Sequence, residues 1–190
     1  PQGHGVLLLM DGAQYEGDFA NDRFHGIGRL VRADGAIYAG EFRDGLREGQ
    51  GIFFHPSGDR YAGRFRNDVR DGFGIEFWPD GHRYFGYYRA GELGGLGLQI
   101  RPDGSVYFGG FSHQQPHGRG MMFYADGREY NGEWRSGRRD GTGVYVWADG
   151  DRYEGQFVRN RMHGKGVYIW SDGQRYPGVV VKEGGHDTLT

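Results

Sequence analysis

Tyrosine recurs every 23 residues along this chain of 190 residues, with no insertion between the copies. Glycine follows each of these tyrosines two residues later, and an aromatic residue follows seven of them four residues later. Paired glycines lie eleven and thirteen residues after each of the first seven tyrosines. Several columns in one register indicate tandem repeats, each too small to bury a core alone. The tyrosines are Tyr15, Tyr38, Tyr61, Tyr84, Tyr107, Tyr130, Tyr153 and Tyr176.

The periodicity predicts one array over residues 1–190, without a linker or a second domain. The chain starts inside a repeat, so we expect it to be an N-terminally truncated fragment of a longer array. The predicted units are a partial repeat 1–14, seven full repeats 15–37, 38–60, 61–83, 84–106, 107–129, 130–152 and 153–175, and a partial C-terminal repeat 176–190.

Each repeat has the pattern of a β-hairpin. The Tyr-x-Gly-x-Phe segment alternates large and small residues with the period of a strand. About six polar residues follow and predict a loop, and then comes a second β-rich stretch such as 144–147. An Asp-Gly turn leads into the next tyrosine. Both connections are too short for a parallel crossover. The sequence therefore predicts an all-β, elongated meander of antiparallel hairpins in a twisted sheet, with a radius of gyration above the ~17 Å of a compact domain of this length.

The glycine inside the first strand of each repeat requires a reason, because glycine weakens strands. An aromatic ring can lie over a residue without a Cβ atom. We therefore expect the rings to stack along the array into a ladder that forms the core. The predicted repeat core comprises Tyr38, Gly40, Phe42, Tyr61, Gly63, Phe65, Tyr84, Gly86, Tyr88, Tyr107, Gly109, Phe111, Tyr130, Gly132, Trp134, Tyr153, Gly155 and Phe157.

Composition and motifs argue against several classes of function. The chain has no cysteine, which fits a reducing compartment, and a net charge of -2, which is not a nucleic-acid-binding footprint. No apolar run approaches the ~20 residues of a membrane span. The repeated Gly-x-Gly never extends to Gly-x-Gly-x-x-Gly, and no Walker A or Gly-x-Ser-x-Gly sequence occurs. We expect a protein that is not an enzyme and holds no cofactor.

The residues 153–173, Tyr-Glu-Gly-Gln-Phe followed by His-Gly-Lys-Gly-Val-Tyr and Ser-Asp-Gly, resemble the MORN repeat (membrane occupation and recognition nexus). The resemblance covers essentially the whole chain, with local departures in 84–106 and 107–129. It implies an elongated β-solenoid that acts as a scaffold or binding surface. An array made only of repeats resembles the cytoskeletal MORN scaffolds of protists, which implies a cytoplasmic protein at the cytoskeleton or a membrane.

One column of the second strand is a candidate partner groove. Trp78, Tyr124 and Trp147 all stand seventeen residues after a repeat tyrosine, and arginine takes that place in other repeats. Because Trp and Arg are enriched at binding hot spots, this column predicts a groove for protein partners. The alternative is that the rings simply cover the sheet.

Basic residues offer a second hypothesis, a peripheral module that binds anionic phospholipids such as phosphoinositides. Arg138, Arg139, Arg161 and Lys165 are the candidate lipid contacts, because a basic residue near an anionic bilayer contributes about 1 kcal/mol. Carboxylates such as Asp140 are interleaved, so a solvated face of mixed charge is the alternative.

Histidine gives only a weak suggestion of metal binding. His113 and His117 are close in sequence, and imidazoles at short spacing can bind zinc. Because histidine is common in polar loops, we expect no metal site there.

The C-terminal end predicts a homodimer. The last strand continues as Val179, Val180 and Val181, which are apolar and β-branched, and a final strand exposes unpaired backbone groups. Trp170 and Tyr176 extend this apolar end, so two chains could join there about a twofold axis. The alternative is a monomer whose tail, residues 182–190, folds back over the edge.

Overall fold

The computed structural model of the protein describes residues 2–183 and 186–189 and contains two compact units, Pro1–Leu93 and Gly94–Thr190. The described residues form seventeen β-strands and no helix. All the pairings that join consecutive strands inside each unit are antiparallel. The predicted all-β meander of antiparallel hairpins is confirmed.

Unit 1 contains eight strands, each hydrogen-bonded to the next along the chain. The repeat tyrosines pair across to the second strands, so that Tyr38 faces Leu30 on one side and Phe53 on the other. The strands are β1 (Gly3–Leu8), β2 (Gln14–Ala20), β3 (Arg23–Val31), β4 (Ile37–Arg43), β5 (Leu46–Phe54), β6 (Arg60–Arg66), β7 (Val69–Phe77) and β8 (Arg83–Arg89).

Unit 2 repeats the same arrangement, and β9 begins two residues before its boundary. In this unit Tyr130 pairs with Met122 and Tyr145. The strands are β9 (Glu92–Ile100), β10 (Val106–Ser112), β11 (Gln115–Phe123), β12 (Glu129–Arg135), β13 (Arg138–Val146), β14 (Arg152–Val158), β15 (Arg161–Ile169), β16 (Arg175–Glu183) and β17 (His186–Leu189).

The predicted six-residue loop after the first strand of a repeat is wrong. Between β6 and β7 the connection is only Asn67 and Asp68, whose φ angles are 47° and 67°. Two successive residues with positive φ form the tight turn that suits the twist of a hairpin, and Asn and Asp tolerate that conformation. The polar residues that follow therefore continue as the second strand.

A bulge accompanies this turn and explains one of the repeated glycines. The register of β6 and β7 shifts between Gly63 and Phe65, and Gly72 in the facing strand has a φ of +101°. A residue with a Cβ atom rarely adopts that conformation. The bulge redirects the side chains of the second strand, which places Arg70, the second residue of β7, against the aromatic rings.

Candidate functional site

The repeat tyrosines and the aromatic residues four positions later share one side of the strands, here called the aromatic face. The Tyr61 ring packs edge-to-face on Phe65 at 5.1 Å and on Tyr88 of the next repeat at 5.2 Å. In unit 2, Tyr130 contacts Trp134 at 5.2 Å and Phe157 at 5.0 Å in the same way. Edge-to-face pairs contribute about 1 kcal/mol each beyond the area they bury. The rings form a continuous ladder within each unit.

The aromatic residues predicted for the core are all buried in the structure. Each contributes less than a tenth of its surface to solvent. They are Tyr38, Phe42, Tyr61, Phe65, Tyr84, Tyr88, Tyr107, Phe111, Tyr130, Trp134, Tyr153 and Phe157.

Tyr15, Tyr38, Tyr61, Tyr107, Tyr130 and Tyr153 lie over glycines of their own hairpins. A Cβ atom built on Gly132 would stand 2.5 Å from the Tyr130 hydroxyl oxygen and 2.6 Å from the Cα of Gly143. The predicted core glycines Gly40, Gly63, Gly109 and Gly155 have similarly close surroundings. The Tyr130 hydroxyl also donates a 3.0 Å hydrogen bond to the carbonyl oxygen of Glu133. The Tyr130 ring therefore packs against the glycine backbone while its hydroxyl is held by a hydrogen bond. A side chain in place of the glycine would clash with the ring in this position.

Burial changes the acidity of these tyrosines. It raises the pKa of Tyr61, Tyr84 and Tyr130 to about 12, because a phenolate would lose its hydration there. Burial also raises the pKa of Tyr88, and the neighbouring Glu76 carboxylate adds to that rise. The ladder depends on neutral phenols.

Three arginines lie over the ladder, each directly after the first residue of its second strand. The guanidinium carbon of Arg47 is 5.0 Å from the Phe65 ring centroid, and that of Arg70 is 5.1 Å from the Tyr88 ring. Arg139 approaches the Tyr145 ring to 4.7 Å. From the sequence, Arg139 was considered only as a candidate lipid contact, so this role was missed. The sequence feature that could have revealed it is that the three arginines occupy the same position in their repeats.

The arginines of unit 1 are neutralised by carboxylates. Arg47 Nε donates to Asp68 Oδ1 at 3.0 Å. Arg70 pairs with Glu76, a buried residue that also accepts a 2.7 Å hydrogen bond from the Tyr88 hydroxyl. These groups line a groove of about 520 Å³, the unit 1 groove, together with Trp78. Four arginines and three carboxylates line it, so its charges are largely balanced.

The unit 2 groove has a volume of about 490 Å³ and a different lining. Among the described residues, Arg139 and Arg161 are its charged lining groups, and no carboxylate lines it. Tyr145, Trp147 and Tyr168 form one wall, in which Trp147 is 4.9 Å from Tyr145 and 5.2 Å from Tyr168. This groove therefore combines aromatic surface with positive charge.

The predicted partner-groove residues are divided between the units. Trp78 lines the unit 1 groove, and Trp147 lines the unit 2 groove. Tyr124 in unit 2 is half-buried, with its ring 6.3 Å from Tyr145 and the Arg128 guanidinium 5.2 Å above it. All three rings are partly covered and partly accessible.

The predicted dimer residues lie at the C-terminal strand. Trp170, Tyr176 and Val179 are exposed by 49%, 56% and 42%, whereas Val180 is buried. The side chain of Val181 lies outside the described residues. β17 pairs with β16 from Val180 to Glu183, so the tail covers that part of the edge.

The predicted lipid residues do not converge on one surface. Arg139 and Arg161 share the unit 2 groove. Lys165 belongs to another depression with Glu133 and Gln156, on the other side of the strands, here called the opposite face. Arg138 is exposed. No helix among the described residues is long and apolar enough to cross a membrane.

The histidine pair shows no metal-binding arrangement. His113 lies in a turn with a φ of 48°, its Nδ1 is 3.0 Å from the Ser112 hydroxyl, and His117 is exposed. No cluster of three or more metal-ligating side chains occurs in residues 2–183 and 186–189.

Between β7 and β8 the opposite face of unit 1 carries an apolar patch, which was not predicted from the sequence. Phe73 and Tyr87 are exposed by 51% and 53%, and their rings lie 5.8 Å apart. Ile75 pairs with Phe85 in the next row. In unit 2 the corresponding pairs include Arg119 with Glu133 and Thr142 with Gln156. The sequence signal for this patch was the pair of aromatic residues Phe85 and Tyr87, one and three positions after the repeat tyrosine Tyr84.

Solved structures share this type of fold at low sequence identity. The TCP10 domain of CPAP from Danio rerio is 12% identical, with 92% of this chain and 83% of that chain covered and a TM-score of 0.54. The TCP domain of SAS-4 from Drosophila melanogaster, solved with a proline-rich motif, is 14% identical over 92% and 88%, with a TM-score of 0.32. The first similarity concerns the fold alone, and the second supports no inference. A comparison with curated proteins finds no match.

The fold and the aromatic ladder define a class of protein, the tandem array of antiparallel β-hairpins. The model of the MORN repeat matches seven consecutive segments of the chain, residues 15–37, 38–60, 61–83, 84–106, 107–127, 130–152 and 153–175. The chain belongs to the MORN-repeat family, as the sequence predicted. This repeat is a non-catalytic module, and membership of the family favours a scaffold.

Proposed function

We propose that this chain is a non-enzymatic scaffold that binds segments of partner proteins along its aromatic face. The observation that carries the proposal is the row of rings in unit 2, where Tyr145, Trp147, Tyr168 and Trp170 follow one another at 4.9, 5.2 and 4.6 Å. The row passes from a buried ring to one exposed by 49%. Rigid aromatic surface beside arginine is typical of binding hot spots.

Affinity chromatography on the immobilised chain tests this proposal. A cytoplasmic extract is passed over the unchanged protein, a Trp147→Ala variant and a Thr142→Ala variant. Thr142 lies on the opposite face, so its variant is the matched control. We expect a defined set of proteins on the first and third columns and its loss on the second. Equal retention on all three columns would show that the aromatic face is not the binding surface.

Homodimerisation through the C-terminal end is part of the proposal. Tyr176, Val179 and Trp170 expose apolar surface there, beside the part of β16 that pairs with β17. A second copy, related by a twofold axis, would pack on this exposed apolar surface. Changing Tyr176 and Val179 to Lys should give monomers in light scattering with the β-sheet circular dichroism retained. Dimers that persist in this variant would exclude this interface.

Binding to anionic phospholipids is the second candidate function. Arg139 and Arg161 line one groove in which no described residue supplies a carboxylate, and this favours an anionic group. Sedimentation with phosphoinositide-containing vesicles should then require the anionic lipid and weaken as salt is added, because screening reduces such attraction. Sedimentation that is absent at low salt would eliminate this function.

For the cellular location we propose the cytoplasm, at the cytoskeleton or at a membrane. The absence of cysteine and the resemblance to array-only MORN scaffolds support this location. A fluorescent fusion should stay with the insoluble cytoskeleton after detergent extraction if it binds filaments, and should be released by detergent if it binds membrane. A fusion that is soluble without detergent would contradict both.

A further inference from the structure

Arg139 is a cation without a counterion inside the unit 2 groove. Its guanidinium lies 4.7 Å from the Tyr145 ring centroid and 5.6 Å from the Phe157 ring. Its Nε atom is buried without a hydrogen-bond partner, and its Nη2 donates to the backbone oxygen of Asn160 at 2.7 Å. Among the described residues, no carboxylate pairs with it and Nη1 makes no hydrogen bond. A partly buried charge without a partner is costly, which indicates a partner from outside.

The equivalent arginine of unit 1 shows what is missing. Arg47 donates from Nη2 to the backbone oxygen of Asp68, as Arg139 does to Asn160. The backbone amides of both arginines donate to the side-chain oxygen of that turn residue, at 2.9 and 2.8 Å. Only the Asp68 carboxylate also accepts from Nε, at 3.0 Å. Asn160 keeps the turn, with a φ of 73° against 67°, and removes the negative charge.

The surrounding charges leave the unit 2 groove positive. Arg161 adds a second cation to the lining, in which the part of the chain that the structure describes places no carboxylate. Asp151, at the edge of the same aromatic row, is buried and already accepts the Tyr168 hydroxyl at 2.8 Å and the Ser171 amide at 2.9 Å. An occupant that complements this groove therefore carries a negative charge beside apolar surface.

We propose that the unit 2 groove binds a short protein segment in which an Asp or Glu side chain is flanked by apolar residues. The carboxylate pairs with Nη1 of Arg139, and the flanking side chains pack on Trp147 and Tyr168. This inference rests on the proposed scaffold function and specifies the chemistry of the partner. A segment in which this carboxylate is removed would keep the contacts with the rings and lose the ion pair with Arg139.

A protein segment suits the groove better than a bilayer does. The positive charge lies among aromatic side chains rather than on a broad basic surface, since Lys165 belongs to the opposite face with Glu133. The wall formed by Trp147 and Tyr168 requires apolar side chains of complementary shape. A peptide supplies these groups and the carboxylate on a single backbone.

Selection of peptides tests the inference on the full chain. Short random peptides are displayed and selected for binding, and the affinity of the selected peptides is measured for four proteins: the unchanged chain and the variants Asn160→Asp, Asp68→Asn and Trp147→Ala. Asn160→Asp installs the carboxylate that Arg47 already has, in a turn that accepts Asp. Asp68→Asn is the matched change in the other unit and the control for a nonspecific effect of charge.

We expect the selected peptides to share an Asp or Glu between apolar residues. Asn160→Asp should weaken their binding by about tenfold or more, because Arg139 is then neutralised internally. Asp68→Asn should leave it unchanged. Replacing the peptide carboxylate by an amide should cost a similar factor on the unchanged chain and little on Asn160→Asp, the coupling expected of a direct pair.

The other outcomes separate the two proposals. Peptides that lose binding with Trp147→Ala, yet carry no acidic residue and bind Asn160→Asp equally well, would overturn the acidic partner and keep the scaffold. Selection that yields no peptide sensitive to Trp147→Ala would overturn both. Sedimentation with phosphatidylserine vesicles that is abolished by Asn160→Asp would assign Arg139 to a lipid headgroup and overturn the peptide.

Discussion

Arg47 in unit 1 and Arg139 in unit 2 occupy equivalent positions in their repeats, and both lie over aromatic rings. Asp68 neutralises the first, whereas Asn160 leaves the second without a carboxylate. The two turns have nearly the same backbone conformation. The comparison shows that a single turn residue decides whether the arginine is neutralised within the chain or can bind a ligand. The aromatic ladder beneath the arginine is the same in both units.

The opposite faces of the two units differ as well. Between β7 and β8 of unit 1, Phe73, Phe85 and Tyr87 form an apolar patch on this face, whereas in unit 2 Glu133 and Gln156 occupy the corresponding positions. Each repeat conserves the positions that build the sheet and varies those that face outward. The two units therefore share the residues that build the sheet and differ in the surface residues that partners could contact.

Alkaline pH should have the largest effect, because it acts on the ladder of every repeat. The folded pKa of Tyr61 and Tyr130 is about 12, against 10.0 when the side chain is solvated. Since the fold favours the neutral phenol, its contribution is complete below pH 10 and is lost as the pH rises through 12. Urea unfolding midpoints should fall across this range. A midpoint that stays constant would show that the tyrosines ionise without cost.

Substituting a ladder glycine should come next and should affect both units alike. Gly63→Val and Gly132→Val each place a side chain against the tyrosine ring and the facing glycine, so each should destabilise the protein by about 3 kcal/mol through overpacking. Asn131→Val, on the exposed neighbouring position, is the control for β-branching and should change little. Denaturant titration measures all three. A tolerated valine in one unit would mean that the ladders are not equivalent.

Removing an arginine should separate the units. Arg70→Met leaves the buried Glu76 without its cation and should cost about 2 kcal/mol, since an unpaired buried charge is expensive. Arg139→Met leaves no carboxylate behind and should cost less than about 1 kcal/mol, mainly in cation–π contact. Unfolding free energies test the difference. Equal losses would remove the distinction between a paired and an unpaired arginine.

Exchanging the turn residues should have the smallest effect on stability. Asp68→Asn should lower the melting temperature and Asn160→Asp should raise it, each by less than about 1 kcal/mol in free energy, because the groups are partly exposed. Both shifts should shrink as salt is added. Shifts of the same sign would show that the carboxylate acts on the turn rather than on the arginine.

Much of the fold could be predicted because its determinants are local and repeated. The alternation in Tyr-x-Gly-x-Phe specifies a strand, and the short Asp-Gly connection requires an antiparallel partner. The length of the second strand was misjudged, since its polar residues resemble a loop unless the positive φ values of Asn67 and Asp68 are known. That error hid the side of the strand on which Arg47 lies.

The sequence by itself determined the repeat, its strands, the aromatic columns and the family, because a fixed register repeats the same local preferences. Tertiary structure decided which arginines are neutralised. Arg70 meets Glu76 of its own strand, and Arg47 meets Asp68, 21 residues away. Such pairs depend on the bulge and on the stacking of successive hairpins, which bring distant residues together at hydrogen-bond distance. The distances from each guanidinium to the nearest carboxylate distinguish Arg139 from Arg47 and Arg70, which stand at the same position of their repeats. The charge of Arg139 is left for a partner.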